Sequence, residues 1–183
     1  MMEIVKPLLI LVVTGAFLYG CSGHADWRTA SRESAGIAPD PGVTSEAVLH
    51  VYGADAWGWR GWFAIHTWIA AKRAGETDYT VYDVIGWRGR YGAQVLGITR
   101  DIPDRYWYGE KPRLLKAHRG SGVDELIDAV DRAARAYPWK DTYKVFPGPN
   151  SNTFTAWVAR QVPELELELP FSAIGSGYAK QTN

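Results

Sequence analysis

The segment Pro147–Phe154 contains the residues best suited to chemistry, because it places Ser151 between Asn150 and Asn152. Two prolines restrict the chain before this triplet, and apolar residues at helical spacing follow it. We therefore expect Ser151 to lie at the start of a helix that Asn150 or Asn152 caps. Unpaired backbone N–H groups and the helix dipole at such a start can stabilise an oxyanion. Ser151 is therefore a candidate nucleophile.

A serine nucleophile needs a base, and His66 is the best candidate in the chain. It lies in the apolar run Ala64–Ala71, which predicts a strand, and an imidazole suits proton transfer near neutral pH. If the next strand folds back as a hairpin, Asp83 shares the face of His66 and orients its ring. Each residue also has a plainer interpretation. Ser151 fits a helix cap, His66 fits a hydrogen-bonded structural residue, and Asp83 fits an ion-pair partner of Arg88 or Arg90.

Aromatic, amide and guanidinium side chains near these residues are candidate ligand contacts. Indoles stack on sugar rings or pack on acyl chains, and a guanidinium binds a carboxylate or phosphate. The candidates for substrate binding are Asn150, Asn152, Trp57, Trp59, Arg60 and Trp68, with Trp62, Trp107 and Tyr108 as further aromatic candidates. The same rings could instead fill the core, and this alternative stays open. No two histidines have metal-ligand spacing, so we expect neither a metal nor another cofactor.

Short apolar runs bounded by turn-forming residues predict the strands that would position this site. They lie at residues 47–52, 64–71, 79–85 and 94–98. The turn at residues 73–78 joins the second and third as a hairpin. The alternation of acid and leucine at 164–169 predicts an exposed edge strand.

Helix signals follow the strands. Ser121 as N-cap with Asp124 three residues later predicts a helix that ends before Pro138, and a second helix spans about residues 152–162. Strands first and helices second indicate an α+β domain. We expect an antiparallel sheet of about four to six strands packed with two or three helices.

The N-terminal residues resemble a bacterial lipoprotein signal, and the alternative is a signal anchor that is never cleaved. Lys6 precedes an apolar run that is too short to cross a bilayer and ends at Cys21, the chain's single cysteine. We predict a signal peptide at 1–20, a lipidated N-terminus, tether and strapped loop at 21–45, and one α+β domain at 46–183. A lipid such as palmitate on Cys21 would anchor the protein to the bacterial membrane, on the periplasmic face of the outer membrane.

Composition excludes several classes of protein. Lys+Arg and Asp+Glu number 20 each, and this balance argues against a nucleic-acid partner, which demands a basic surface. Hydrophobic residues make up 46% of the chain, enough to bury a core, so disorder is not expected. With Cys21 lipidated, the mature domain would have neither a disulfide nor a thiol nucleophile.

Several blocks together resemble the bacterial domain-of-unknown-function family numbered 3750. They are Ser34–Pro41, Ala56–Gly61, His66–Ile69, Pro147–Phe154 and Ala173–Gly175. The resemblance implies an envelope-associated domain with no established activity. Asn150–Phe154 is also similar to the Asn-Cys-x-x-Phe segment of circularly permuted papain-like proteins, which include lecithin-retinol-acyltransferase-like enzymes and relatives of NlpC-type peptidases. That resemblance implies a permuted papain-like fold, with Ser151 and His66 at the nucleophile and base positions and serine in place of cysteine.

Three functions therefore remain open for a protein of the cell envelope. The first is a serine hydrolase or acyl transferase that acts on an amide or ester of peptidoglycan peptide or lipid. The second is a non-catalytic module that binds a cell-wall peptide, glycan or lipid. The third is a structural lipoprotein.

Overall fold

A computed structural model describes residues 26–181, and a five-stranded antiparallel sheet forms its centre. The strands lie in the order β4-β3-β2-β1-β5. They are β1 (Val48–Asp55), β2 (Ile65–Lys72), β3 (Thr80–Val84), β4 (Leu96–Arg100) and β5 (Arg113–Arg119). The sheet and its helices confirm the predicted α+β class. The signal peptide and Cys21 lie outside the described residues.

The two central strands are buried on both faces. Every residue of β2 is buried, as are seven of the eight in β1. β-Branched and aromatic residues such as Val51, Ile69 and Trp68 suit a pleated surface that neighbours cover on both sides. The register places Val51 opposite Ile69 and His50 opposite Ala70. Two different layers must therefore cover the sheet.

The two long helices cover the first face. α1 (Gly86–Arg90) is one short turn, whereas α2 (Val123–Arg135) and α3 (Ser151–Gln161) are longer. Three 3-10 turns lie at Gly58–Trp62, Pro163–Leu165 and Ser176–Gln181. The sheet residues of this core are Leu49, Val51, Ile69, Ala71, Tyr82 and Val84, and the helix residues include Val123, Leu126, Ile127, Val130, Phe154 and Val158. Their spacing in α2 gives the helix one apolar face.

Loops cover the second face. Its core contains Val48, Tyr52, Trp68, Ala70 and Val81, with Trp107 and Tyr108 from the loop before β5. A segment that we name the strap, residues 34–39, lies across this core. The buried carboxylate of Asp104 holds the strap, accepting hydrogen bonds from Ser34 Oγ at 2.8 Å, Ile37 N at 2.5 Å and Ala38 N at 3.0 Å.

The four predicted strands and both predicted long helices are present, but two local predictions are wrong and one strand was missed. Gly122, not Ser121, is the N-cap of α2; its φ of 80° suits glycine, and no side chain caps the helix. Residues 164–169 form no strand, because a 3-10 turn begins at Pro163 and Glu166 has a φ of 46°. β5 was not predicted. Across residues 26–181, no helix combines the length and hydropathy that a membrane span requires.

Candidate functional site

The start of α3 is a closed network of hydrogen bonds. Asn150 is the N-cap, and its Oδ1 accepts a hydrogen bond from Thr153 N at 3.1 Å. Thr153 Oγ1 in turn accepts from Asn150 N at 3.1 Å, which completes a reciprocal capping box. The prediction that an asparagine caps this helix is confirmed.

Both predicted amide contacts are used inside the protein. Asn150 Nδ2 donates to Val145 O and Ile174 O at 3.0 and 3.1 Å. Asn152 Nδ2 donates to Ile65 O and Ile174 O, both at 2.9 Å. The two amides therefore join α3 to β2 and to the C-terminal loop, and their donor hydrogens are occupied.

Ser151 is the first residue of α3 and is 3% exposed. Its carbonyl oxygen accepts a hydrogen bond from Thr155 Oγ1 at 3.1 Å. Thr67 Oγ1 donates to Asn152 Oδ1 at 3.0 Å and is 3.4 Å from Ser151 O. The start of α3 therefore rests on the face of β2 to which Thr67 points.

His66 points to the other face of the same strand, since successive side chains alternate. Its ring stacks on Trp107 with a centroid separation of 3.5 Å and an interplanar angle of 5°. No hydrogen bond joins His66 to Ser151 in the described chain, and His66 Nε2 is buried without a partner. Burial, followed by the charges of Arg105 and Arg88, holds the pKa of His66 well below 6.5. The imidazole is therefore neutral at neutral pH.

Asp83 lies on the same face as His66, as the hairpin register predicts. Ala70 pairs with Val81, so alternation turns Asp83 and Val81 to one side of the sheet. The Asp83 carboxylate is engaged by arginines: Oδ1 accepts from Arg88 Nη1 at 2.5 Å and Oδ2 from Arg105 Nη2 at 2.6 Å. Asp83 therefore belongs to a buried ionic cluster, and no hydrogen bond connects it to His66.

This cluster forms one side of a pocket of about 290 Å³, which we name the arginine–tryptophan pocket. Trp87, Trp107 and Tyr108 supply its aromatic wall, with Trp87 stacked near Trp107 at a centroid separation of 5.8 Å. Trp87 is 39% exposed, so solvent reaches this wall. The complete lining is Arg32, Ile85, Trp87, Arg88, Asp101, Arg105, Tyr106, Trp107 and Tyr108.

Positive charge predominates in the pocket. Three guanidinium groups, those of Arg32, Arg88 and Arg105, face two carboxylates, Asp101 on the lining and Asp83 behind it. Both terminal nitrogens of Arg105 bind these acids, but Arg88 uses only Nη1. Arg32 lies over the Tyr108 ring at 4.3 Å, and residues 26–181 give it no ion pair. Arg32 and Arg88 thus keep N–H donors for a ligand.

A family model matches residues 46–178, and it describes proteins of unknown function designated DUF3750. The chain belongs to the DUF3750 family. This confirms the first family resemblance and covers β1 to β5 and all three α-helices. Comparison with curated proteins and with solved structures finds no match, so the likeness to papain-like proteins is not confirmed.

The aromatic residues singled out in the sequence occupy different environments in this DUF3750 chain. Trp68 is 1% exposed, and its indole N–H donates to Pro103 O at 2.8 Å, which is typical of a core residue. Trp57 packs edge-on against Tyr108 at 5.8 Å, beside the pocket. Trp59 is 61% exposed and projects away from the core, and Arg60 is half-buried next to it.

Sequence reasoning missed several residues of the DUF3750 pocket, among them Trp87, Arg105 and Arg32. Two short signals could have found Trp87 and Arg105, because arginine adjoins an aromatic residue in Trp87-Arg88 and in Arg105-Tyr106-Trp107, but Arg32 has no such neighbour in the sequence. Such pairs suit a surface that binds rings and acids together. Among residues 26–181, no cluster of three His, Cys, Asp or Glu side chains is arranged to hold a metal ion.

Proposed function

We propose that this protein is a non-catalytic binding module of the bacterial cell envelope, which holds a small carboxylate-bearing ligand in the arginine–tryptophan pocket. The observation that carries the proposal is the combination of an aromatic wall with guanidinium groups that keep unpaired N–H donors. A flat ring or peptide plane would lie on Trp87, and a carboxylate would bind Arg32 and Arg88.

The size and charge of the pocket support a ligand of this class. A volume of about 290 Å³ lies near the lower end of the range for small-molecule sites. It suits a single sugar ring or a dipeptide. Cell-wall fragments combine sugar rings, peptide planes and free carboxylates, so they offer both features that the pocket favours.

The envelope location rests on the sequence. A short apolar run that ends at the single cysteine supports lipidation of Cys21, and a lipid anchor holds a protein at a membrane without a spanning helix. The sole thiol would then be blocked in the mature protein.

A Ser151 hydrolase or acyl transferase is the alternative, and the geometry supports it less well. Thr67 faces α3, whereas His66 faces Trp107 on the other side of β2. A low pKa and a stacked ring also make His66 a weak base. A fluorophosphonate probe that labels Ser151 in the folded protein, with labelling lost in Ser151→Ala, would favour the hydrolase over the binding module.

Calorimetry on the full-length chain in detergent tests the binding proposal. The probes are muramyl dipeptide, N-acetylglucosamine and a dipeptide with a free carboxyl terminus, which separate the sugar from the acid. We expect Arg32→Gln and Trp87→Ala each to weaken binding of the acidic probes about tenfold, since roughly 1.4 kcal/mol corresponds to that factor. Matched controls are Arg132→Gln and Trp59→Ala, which alter exposed residues outside the pocket. Equal losses in pocket and control variants, or no binding of any probe, would refute the proposal.

A further inference from the structure

A second aromatic surface lies outside the pocket, in the aromatic turn, which we define as residues 57–63. Trp62 is 90% exposed, Trp59 61% and Phe63 49%. The Trp59 and Phe63 rings lie 5.6 Å apart, so they form one apolar patch. Exposed aromatic side chains gathered in one short turn usually mark a contact surface.

The backbone of the turn is fixed, so the rings are held outward. Ala64 N donates to Arg60 O and Ala56 N donates to Ala64 O, both at 2.9 Å. A Cβ at Gly61 would lie 2.5 Å from Ala56 O, which shows how closely the chain folds on itself here. The indoles therefore project from a closed turn that cannot easily collapse onto the core.

The aromatic turn and the N-terminal segment meet at Tyr108. Trp57 packs on one edge of the Tyr108 ring at 5.8 Å, and Arg32 lies over the same ring at 4.3 Å. Eleven residues separate Arg32 from Cys21 (32 − 21 = 11), a span of at most roughly 40 Å when extended. A lipid on Cys21 would therefore hold Arg32 and Tyr108 within roughly 40 Å of the bilayer.

The composition of both segments is typical of a membrane interface. The turn contains Trp59 next to Arg60, and a second tryptophan–arginine pair lies at the start of the described chain. There, Trp27 is 48% exposed and Arg28 lies over its ring. Tryptophan prefers the boundary between headgroups and acyl chains, and arginine extends its charge toward anionic phosphates. Arg60 lies between Trp59 and Trp62 in the sequence and supplies a positive charge to the turn.

We propose that the aromatic turn inserts Trp59 and Trp62 into the interface of the bilayer that the lipid anchor occupies, with anionic headgroups around Arg60. The inference rests on the proposed anchor and is independent of the pocket ligand. It gives the domain a fixed orientation, because a lipid chain and a side-chain contact together define one membrane-facing side.

A site-specific fluorophore tests this contact. Lipidated full-length Trp62→Cys is labelled with a nitrobenzoxadiazole maleimide and reconstituted into phosphatidylethanolamine–phosphatidylglycerol vesicles. Acylated Cys21 does not react, so the label reports on position 62 alone. The matched control is Thr77→Cys, an exposed position in the hairpin turn at the far end of β2. Both positions are exposed, so neither substitution threatens folding.

We expect a blue-shifted emission and quenching by spin-labelled lipid at position 62, with neither change at position 77. No quenching at position 62, or equal quenching at both positions, would overturn the proposed membrane contact. Mass spectrometry of Cys21 tests the anchor separately, and calorimetry tests the pocket. A failure of either part of the proposed function is thus distinguishable from a failure of the aromatic turn.

Discussion

Among single residues, Asp83 has the most unusual environment. Its carboxylate is 1% exposed and forms ion pairs with two arginines, Arg88 and Arg105. A carboxylate in such a place is stabilised only by its partners, because burial removes it from water. The same ion pairs orient Arg88 and Arg105 along the pocket. Asp83 therefore acts as a positioning residue for the proposed ligand site.

Asp83→Asn should strongly destabilise the protein, because it leaves two arginines without their buried counter-charge. Removal of one partner of a buried ion pair costs about 3–5 kcal/mol in the free energy of unfolding. Urea denaturation of Asp83→Asn and of Asp55→Asn provides the comparison. Asp55 pairs with Arg113 at the surface, where an ion pair contributes only about 0–1 kcal/mol. Equal losses in the two variants would contradict the buried cluster.

Two buried histidines should make stability depend on pH. Burial, with a smaller effect of Arg119, lowers the pKa of His50 to about 4, and the pKa of His66 is also well below 6.5. Because the unfolded chain takes up these protons first, stability is fully present above about pH 6.5 and decreases as the pH falls toward 4. The urea midpoint should therefore be lower at pH 5.5 than at pH 7.5.

His66→Phe is the informative variant for this pH effect, since it keeps a flat ring against Trp107 and removes the titrating group. The difference between its two urea midpoints should be smaller than in the unmodified protein. An unchanged difference would show that His66 takes up no proton on unfolding in this range.

At the scale of secondary-structure elements, α3 depends on Asn150 more than on any general helix propensity. Asn150 caps the helix and also donates to Val145 O and Ile174 O, so one side chain joins three segments. The start of α2 is different, because Gly122 takes the N-cap position without any side-chain hydrogen bond. Removal of the side chain before α3 should therefore destabilise the protein, whereas removal of the side chain before α2 should not.

Asn150→Ala should cost about 2 kcal/mol in unfolding free energy, from the lost cap and from Val145 O, which loses its donor, whereas Ile174 O keeps the hydrogen bond from Asn152 Nδ2. Ser121→Ala, at the position that the sequence pattern wrongly identifies as a cap, should stay within roughly 0.5 kcal/mol of the unmodified protein. Chemical denaturation of both variants measures the difference. A larger loss for Ser121→Ala than for Asn150→Ala would reverse our interpretation of both caps.

Local sequence patterns predicted the elements whose signal lies within the element itself. Short apolar runs between turns identified β1 to β4, and the predicted hairpin register correctly placed Asp83 and His66 on one face. β5 was not predicted, because Arg113–Arg119 is half-exposed and rich in charge, as edge strands often are. The ion pair of Asp83 with Arg105 was not predictable, since 22 residues of chain separate the two.

At the scale of the whole molecule, the sheet separates the candidate residues onto its two faces. The helical face holds Ser151 and the asparagine network and serves the fold, whereas the loop-covered face holds His66, Asp83 and the pocket. No sequence pattern within β2 shows which layer will cover which face, and for that reason Ser151 and His66 appeared to be partners. The second face depends on loops, on the short α1 and on the strap.

The strap, which precedes the residues matched by the family model, should be an integral part of this face. Asp104 receives three hydrogen bonds from it, and Tyr79 Oη donates to Pro39 O at 3.0 Å. Asp104→Ala should therefore release the strap and expose the second core. Hydrogen exchange at the amides of Ile37 and Ala38 should become at least about tenfold faster, since each hydrogen bond to a charged group contributes about 1.5–3 kcal/mol.

Asp40→Ala is the control, because it removes a nearby exposed carboxylate whose hydrogen bond to Gly42 N is local. This variant should leave both amides protected. Unchanged protection in Asp104→Ala would mean that packing on Tyr79 and Trp68, and not the carboxylate, holds the strap.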